Sequence, residues 1–208
     1  MIDVTRFTSP DSRSFGAKQE LTIGAIVTSK DESAIPVLIK VFGTIRSRLP
    51  FVKKMVIAGD GSDYTSAKHA VKEIGFPDSV SLLGPQEDIA PIYRRMDFLL
   101  SITEQESMGM SVLEAMSSRV IPLVGQNCIS AGVITNGQNG FFIDHQDVEA
   151  TARKLEGIFV DCVRNPAKFN KMAKAARELI QEKYSSEAIL PLYEELFLRL
   201  ANRPEAEQ

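Results

Sequence analysis

The sequence predicts an α/β fold, with a Rossmann-like parallel sheet covered by helices on both faces. Short apolar runs alternate with amphipathic segments along residues 21–145, which is typical of a parallel sheet with crossover helices. Hydrophobic residues make up 44% of the 208 residues, enough to build a sizeable core. No G-x-G-x-x-G follows the first predicted strand, so a dinucleotide-dependent oxidoreductase is disfavoured.

The predicted strands are short and apolar, and most of them end in a polar or glycine-containing turn. Together with their exit turns, they lie at 21–30, 54–61, 79–84, 96–100 and 120–124. The helical patterns lie at 34–49, 64–74 and 85–95, after Ser107, at 147–163, after Pro166, and from 184 to 200. Strands and helices therefore alternate up to residue 145, and the rest of the chain is helical.

The stretch 101–118 carries the clearest functional signal. Ser107 is the predicted N-cap of a helix, and Gly109 lets another group approach the backbone because it has no Cβ. The first amides of such a helix lack partners within the helix and lie at its positive end, where a phosphate binds readily. These amides belong to Met108, Gly109, Met110 and Ser111.

Two glutamates frame this predicted phosphate site. Glu106 precedes the cap, and Glu114 is expected two turns into the helix. Carboxylates beside an anion site are unusual unless another part of the ligand needs them. A carboxylate accepts hydrogen bonds from a vicinal diol, so a ligand with both phosphates and sugar hydroxyls fits the pattern. The alternative is an ordinary strand–loop–helix unit with two solvated glutamates.

Several candidate residues follow predicted strands. They are Lys30, Gly59, Gly84, Glu106 and Gly125. Because the carboxyl ends of parallel strands meet at one edge of the sheet, these residues are expected to line one cleft. Taken alone, Lys30 is equally well explained as a surface lysine.

Charge and cysteine content narrow the function classes. The net charge of −3 disfavours a general nucleic-acid-binding protein. Two cysteines provide no disulfide framework and suit a reducing cytosol. No apolar run approaches the ~20 residues of a membrane span, and the N-terminus has no signal-peptide core. The sequence therefore predicts a cytoplasmic chain without a transmembrane segment or a nucleic-acid partner.

The two ends of the chain are predicted to lie outside the main domain. Residues 1–20 are polar and are expected to form a connector rather than a core element. Residues 201–208 are expected to form a frayed tail. The main domain then spans 21–200, and its last part, 151–200, shows no pattern of catalytic chemistry.

The run from Glu106 to Glu114, E-S-M-G-M-S-V-L-E, resembles the E-x7-E motif of the group 1 (family 4) retaining glycosyltransferases. That family has the GT-B fold, and the motif belongs to its C-terminal, donor-binding domain. The resemblance implies that Glu114 holds the donor ribose and that Glu106, a catalytic residue, approaches the transferred sugar. The intervening amides would bind the diphosphate and sugar hydroxyls, with a nucleoside-diphosphate sugar as substrate and no metal required.

Other segments resemble the same family. Residues 24–30 resemble its G-R-L-x-x-x-K motif, so Lys30 would bind the donor diphosphate and stabilise its developing charge. Gly59 belongs to a segment similar to the family's G-D-G-P turn. By the same resemblance, the nucleotide base would lie against the backbone near Gly84 and Gln86.

The sequence also departs from the family pattern at two positions. Ala25 occupies the place of the family's arginine, which removes a bidentate partner for phosphate. Residues 125–140 resemble the family's G-G-x-x-E-x-I-x-x-G-x-N-G loop, but Gly132 lies near the place of its glutamate. Both departures weaken the prediction of full catalytic competence.

Residues 2–7 resemble the family's interdomain hinge, although its Asn-Gly is missing. The simplest explanation is a piece of a longer enzyme whose N-terminal, acceptor-binding GT-B domain lies upstream. The predicted function is then the donor-binding half of a retaining glycosyltransferase acting on a glycan or lipid-linked acceptor. Two alternatives stay open: a non-catalytic GT-B module, and a nucleotide-sugar 2-epimerase. The epimerase would need catalytic histidines, whereas His69 and His145 are expected at the surface.

Overall fold

The computed structural model describes residues 1–9, 14–16, 20–28, 34–59, 64–102, 109–125, 132–143 and 147–201. The strands are β1 Leu21–Val27, β2 Val52–Gly59, β3 Val80–Gly84, β4 Phe98–Ser101, β5 Ile121–Gly125 and β6 Phe141–Ile143. All the pairings among them are parallel, in the order β3-β2-β1-β4-β5-β6. The predicted α/β fold with a Rossmann-like parallel sheet is confirmed.

Helices cover both faces of this sheet. Those in the described residues are α1 Ala34–Arg48, α2 Tyr64–Glu73, α3 Ala90–Tyr93, α4 Met110–Ser117, α5 Val148–Arg164, α6 Pro166–Lys183 and α7 Ser186–Ala201. Buried residues of α1, α2 and α5 pack against one face of the sheet, and those of α3 and α4 against the other. Helix α6 contributes to both cores.

The strands alternate between these two cores. In β2, Met55 and Ile57 face the first core, whereas Val56 and Ala58 face the second. Successive side chains of a strand point to opposite faces, so a sheet covered on both sides needs continuous apolar runs. This requirement explains why the strands are mostly apolar in the sequence and do not alternate between apolar and polar residues.

The sheet reverses its strand order between β1 and β4. Ile23 pairs with Phe98, and Gly24 with Leu99. A Cβ on Gly24 would lie 2.0 Å from the sulfur of Met96, so glycine permits the close approach of the chain that leads into β4. In sheets of this topology, ligands bind outside the carboxyl ends of the strands at such a reversal.

The sixth strand was not among the strands predicted from the sequence. Phe141–Ile143 forms only three residues of strand and pairs with β5 from Leu123 to Gly125. A run this short has no measurable periodicity, and its strand conformation is stabilised by hydrogen bonds to β5. The sequence signal is therefore too weak for a local prediction.

The N-terminal segment, residues 1–9, corrects another prediction. Ile2 and Phe7 are only 1% and 6% exposed and belong to the second core. The Ile2 amide donates to the Tyr184 carbonyl at 2.7 Å, and the Ser186 amide donates to the Ile2 carbonyl at 3.2 Å. The prediction that residues 1–20 form no core element was wrong for this segment, because isolated apolar residues lack periodicity and are buried by distant elements.

Helix α7 contrasts with the other long helices because it buries none of its residues. Its exposed large apolar side chains are Leu190, Leu192, Tyr193, Leu196, Phe197, Leu198 and Leu200. Ser185 caps this helix, since the Ala188 amide donates to the Ser185 Oγ at 3.1 Å. None of the helices in the described ranges has the length and apolar character needed to cross a bilayer.

Candidate nucleotide-sugar site

The structure describes seven of the eleven predicted site residues. These seven lie at the ends of β2 and β3 or in the segment that follows β4: Gly59, Gly84, Gln86, Gly109, Met110, Ser111 and Glu114. Four others, Lys30, Glu106, Ser107 and Met108, lie outside the described residues, and their roles stay predictions. The described part of the candidate site therefore consists of the carboxyl edge of the sheet and α4.

Helix α4 begins at Met110, and its N-cap is Gly109 in the left-handed conformation at φ 58°. The prediction of Ser107 as the cap was wrong, because the backbone turns into the helix at a positive φ that glycine adopts without penalty. The Val112 amide donates to the Gly109 carbonyl at 2.8 Å. The amides of Met110 and Ser111 precede that bond at the positive end of the helix dipole, where an anion would be stabilised.

Glu114 lies in the second turn of α4 and is half-buried. Its Oε2 accepts a hydrogen bond from the Tyr93 hydroxyl at 2.8 Å. Burial raises the pKa of Glu114, while the Tyr93 hydrogen bond and the positive charge of Arg6 act in the opposite direction. A titratable group perturbed in this way beside the carboxyl ends of the strands is a functional-site candidate.

Tyr93 is fully buried at the end of α3. Burial raises the pKa of this phenol well above its ordinary value, and the negative charge of Glu114 adds to the increase. Tyr93 therefore stays protonated at neutral pH and acts as the donor to Glu114. The Phe7 ring packs edge-on against the Tyr93 ring, with centroids 5.9 Å apart and planes at 72°.

The Arg6 charge that acts on Glu114 is also paired with Asp88. Arg6 Nη2 lies 2.9 Å from Asp88 Oδ1, which also accepts the Ala90 amide at 3.2 Å at the start of α3. The Arg6 guanidinium lowers the pKa of Asp88. Both side chains are about half exposed, so this ion pair adds little stability. Its consequence is positional, because it joins the N-terminal segment to the loop before α3.

The exit of β3 forms a backbone-rich surface. Gly84 has φ 70°, a conformation that favours glycine. The Gln86 side-chain amide donates to the carbonyls of Leu83 and Pro85, both at 2.9 Å. The Gln86 side chain is thus engaged with its own loop, and the predicted contact of a nucleotide base with this backbone stays a prediction.

Gly59 has a packing role in addition to its predicted binding role. Its φ is 125°, and a Cβ there would lie 1.8 Å from the Val27 carbonyl oxygen. Because Val27 is the last residue of β1 and Gly59 the last residue of β2, the glycine allows the two strand ends to lie side by side. Any side chain at position 59 would push these ends apart.

The two positions that depart from the family pattern have different environments. Ala25 lies inside β1, is 1% exposed and belongs to the first core, so an arginine there would place its charge among apolar side chains. A Cβ on Gly132 would meet nothing within 4 Å. A larger side chain therefore fits at position 132 but not at position 25.

Sequence reasoning missed Tyr93, Arg6 and Asp88. Tyr93 follows the apolar residues Ala90 and Ile92, so its ring reads as an ordinary core residue. One available signal is that a buried tyrosine hydroxyl needs a polar partner. Nothing in the local sequence identifies that partner as Glu114, which lies 21 residues further along the chain.

The strand order defines a Rossmann-like α/β domain, and α4 begins beside the β1–β4 reversal, where domains of this class bind their ligands. The chain belongs to the glycosyl transferases group 1 family, whose match spans residues 13–179. The predicted family membership is thereby confirmed.

Two curated relatives show how much of a complete enzyme this chain spans. The N-acetyl-alpha-D-glucosaminyl L-malate synthase of Bacillus anthracis is 28% identical over 145 residues, covering 69% of this chain and 37% of that protein. The mannosylfructose-phosphate synthase of Agrobacterium fabrum is 28% identical over 156 residues, covering 71% of this chain and 34% of that protein. The chain spans little more than a third of these relatives.

Solved structures share the fold at low sequence identity. The C-terminal domain of a group 1 glycosyl transferase family protein, LpcC, from Francisella tularensis superposes with a TM-score of 0.71 at 17% identity, covering 89% of this chain and all of that chain. HepE of Anabaena, in complex with UDP and glucose, superposes with a TM-score of 0.76 at 14% identity. The superposition covers 97% of this chain and 55% of HepE. These matches confirm the fold of the C-terminal domain of a GT-B glycosyltransferase.

Proposed function

We propose that this chain binds the donor, a nucleoside-diphosphate sugar, for a retaining glycosyltransferase that acts on a glycan or lipid-linked acceptor. The observation that carries the proposal is the half-buried carboxylate of Glu114, which a buried tyrosine holds just behind the positive end of α4. A fixed carboxylate suits a ribose diol, and the preceding amides suit a diphosphate. HepE, which shares the fold, binds UDP and glucose.

In the proposed reaction, the bond between the anomeric carbon and the diphosphate oxygen breaks while the acceptor hydroxyl oxygen bonds to the same face of that carbon. The hydroxyl proton passes to the departing diphosphate oxygen. Negative charge develops on the departing diphosphate. The α4 amides and Lys30 would stabilise that charge, which is electrostatic catalysis. Glu106 would hold the transferred sugar on the reacting face. No step assigned to these residues requires a metal, and that expectation stays a prediction.

The acceptor site is proposed to lie in a second domain. The curated relatives described above are almost three times as long as the part that this chain matches. Helix α7 presents Leu192, Phe197 and Leu198 to solvent at 63–64% exposure, although such side chains normally pack against protein. The proposed upstream domain would cover this face and supply the residues that bind the acceptor.

Calorimetry tests the donor assignment. UDP, GDP and ADP are titrated into the wild-type chain, into Glu114→Ala and into the control Glu156→Ala, which removes a partly exposed carboxylate of α5. A charged hydrogen bond contributes roughly 1.5–3 kcal/mol, so Glu114→Ala should weaken nucleotide binding by about 10-fold or more. The control should bind like the wild type. Equal affinities in all three proteins would rule out the role of Glu114.

A non-catalytic GT-B module is the second candidate, and one observation favours it. Residue 25 is an alanine buried in the first core, and it therefore supplies no cation where the family has an arginine. Such a module would bind the nucleotide but transfer no sugar even when joined to its upstream domain. The epimerase alternative gains no support, because His69 is exposed on α2 and His145 lies outside the described residues.

A further inference from the structure

The Tyr93–Glu114 hydrogen bond links the predicted ribose-binding carboxylate to the interior of the domain. Tyr93 is fully buried, and its hydroxyl reaches Glu114 Oε2 at 2.8 Å. Phe7 packs against the Tyr93 ring, and Phe7 is itself buried in the second core. A ring enclosed in this way cannot change its position without opening the core, so the hydroxyl is a fixed donor.

A fixed donor restricts a flexible acceptor. A glutamate side chain has three rotatable bonds, and ordering such a side chain when a ligand binds costs conformational entropy. The bond from Tyr93 orders Glu114 in advance. A carboxylate has about four lone-pair sites on its two oxygens, so the bond at Oε2 leaves acceptor capacity for a vicinal diol.

We propose that Tyr93 is a positioning residue of the nucleotide site, holding Glu114 in the orientation and ionised state that a ribose diol requires. This inference rests on the proposed function, because it assigns the diol to Glu114. It adds a residue from α3 to a site that the sequence places only in α4 and the loops. Tyr93 acts through Glu114 and has no assigned contact with the nucleotide.

Two groups from different elements favour the ionised state of Glu114. The Tyr93 hydroxyl from α3 donates directly to the carboxylate, and the Arg6 guanidinium of the N-terminal segment adds a favourable charge. Asp88, from the loop before α3, is paired with Arg6 and partly offsets its charge. Burial of Glu114 opposes both groups by raising its pKa.

The deciding experiment compares two ligands in three proteins. UDP and 2′,3′-dideoxy-UDP, which lacks the diol, are titrated into the wild-type chain, Tyr93→Phe and the control Tyr184→Phe. Tyr184 is a partly buried tyrosine of the same core, so its substitution removes a hydroxyl without touching Glu114. We expect Tyr93→Phe to weaken UDP binding about 3-fold or more and to leave the dideoxy analogue unchanged.

A purely structural role for Tyr93 would give a different result. In that case Tyr93→Phe would lower the affinities for both ligands by the same factor, or would lower the melting temperature without changing the ratio of the two affinities. Either outcome overturns the inference. If the wild-type chain binds no nucleoside diphosphate, the proposed function fails, and the two failures are therefore distinguishable.

The pKa of Glu114 gives a second test that needs no nucleotide. Carboxyl-carbon NMR of the glutamates follows this pKa in the wild-type chain, in Tyr93→Phe and in Tyr184→Phe. Loss of the hydroxyl removes a group that favours the charged form, so the pKa of Glu114 should rise in Tyr93→Phe and not in the control. An unchanged pKa would show that Tyr93 does not hold the carboxylate. Where UDP binds, its affinity should fall as the pH is lowered and Glu114 becomes protonated. This fall should begin at a higher pH in Tyr93→Phe than in the wild-type chain.

Discussion

Arg177 of α6 donates a hydrogen bond from Nη1 to the Phe7 carbonyl oxygen at 3.0 Å. The same guanidinium donates to the carbonyl of Ser117, the last residue of α4, and from Nη2 to the Val4 carbonyl at 3.2 Å. Ser117 Oγ also donates to the Phe7 carbonyl, at 2.7 Å. One side chain thus ties the N-terminal segment to both α4 and α6.

Arg177→Met should detach the N-terminal segment. It removes charged hydrogen bonds worth about 1.5–3 kcal/mol each and leaves partly buried carbonyls without this donor, so the free energy of unfolding should fall by at least that amount. Urea unfolding measures the loss, and limited proteolysis should cut residues 1–9 faster. The control Lys171→Met changes an exposed cation of the same helix and should stay within about 0.5 kcal/mol of the wild type. Equal stability of the two variants would contradict the prediction.

Gly59→Ala should destabilise the sheet much more than Gly75→Ala. Both glycines have positive φ, 125° and 75°, so alanine is strained at either position. Only at position 59 does the new Cβ collide with backbone, 1.8 Å from the Val27 carbonyl oxygen, whereas nothing lies within 4 Å at position 75. Gly75→Ala should cost about 1–2 kcal/mol, the usual penalty of a left-handed residue. Similar melting temperatures for the two variants would disprove the collision at β2.

The half-buried carboxylate of Glu114 predicts a pH dependence of stability. Burial raises the pKa of Glu114 above its ordinary value of 4.5, so folding favours the protonated form. The stability that this group contributes is present below the unfolded-state pKa and is lost as the pH rises through the folded-state pKa. The melting temperature of Glu114→Gln minus that of the wild type should therefore increase as the pH rises from 4 to 8. A difference that stays constant with pH would contradict this prediction.

Cys162 should be unreactive in the folded protein. It lies buried on α5, and burial, reinforced by the charges of Asp97 and Asp161, raises its pKa to about 12. Since the thiolate is the reactive form, a thiol reagent at pH 8 should modify Cys162 only after unfolding. The measurement uses a Cys128→Ser variant, so that the reagent can modify only Cys162. Cys128 lies outside the described residues. Rapid modification of the folded variant would show that α5 opens or that the thiol is accessible.

Sugar transfer should require the proposed upstream domain. The isolated chain should bind a nucleoside diphosphate and transfer no sugar, because an acceptor that is not positioned forfeits about 7–11 kcal/mol of the barrier reduction. Joining the proposed upstream domain should produce transfer with retained configuration. In that longer protein, Glu106→Ala should lower turnover more than nucleotide affinity, since its proposed partner is the sugar. Nucleotide binding without transfer from any common sugar nucleotide would favour the non-catalytic module.

The sequence by itself determined the fold and the position of α4. Mostly apolar runs predicted β1 to β5, because a sheet covered on both faces buries side chains on both sides of its central strands. Helical periodicity predicted α5 and α6 closely, and Asn165-Pro166 marked the start of α6. These are local signals, and the residues that carry them lie within a few positions of each other.

Only the tertiary structure decided which side chains support the candidate site. Phe7 meets Tyr93, Tyr93 meets Glu114, and Arg177 meets both Phe7 and Ser117. The left-handed N-cap of α4 at Gly109 and the burial of Ala25 likewise depend on the packed sheet. Contacts between residues that are far apart in the chain leave no periodic pattern, because they arise from the packing of whole elements and not from local backbone preference.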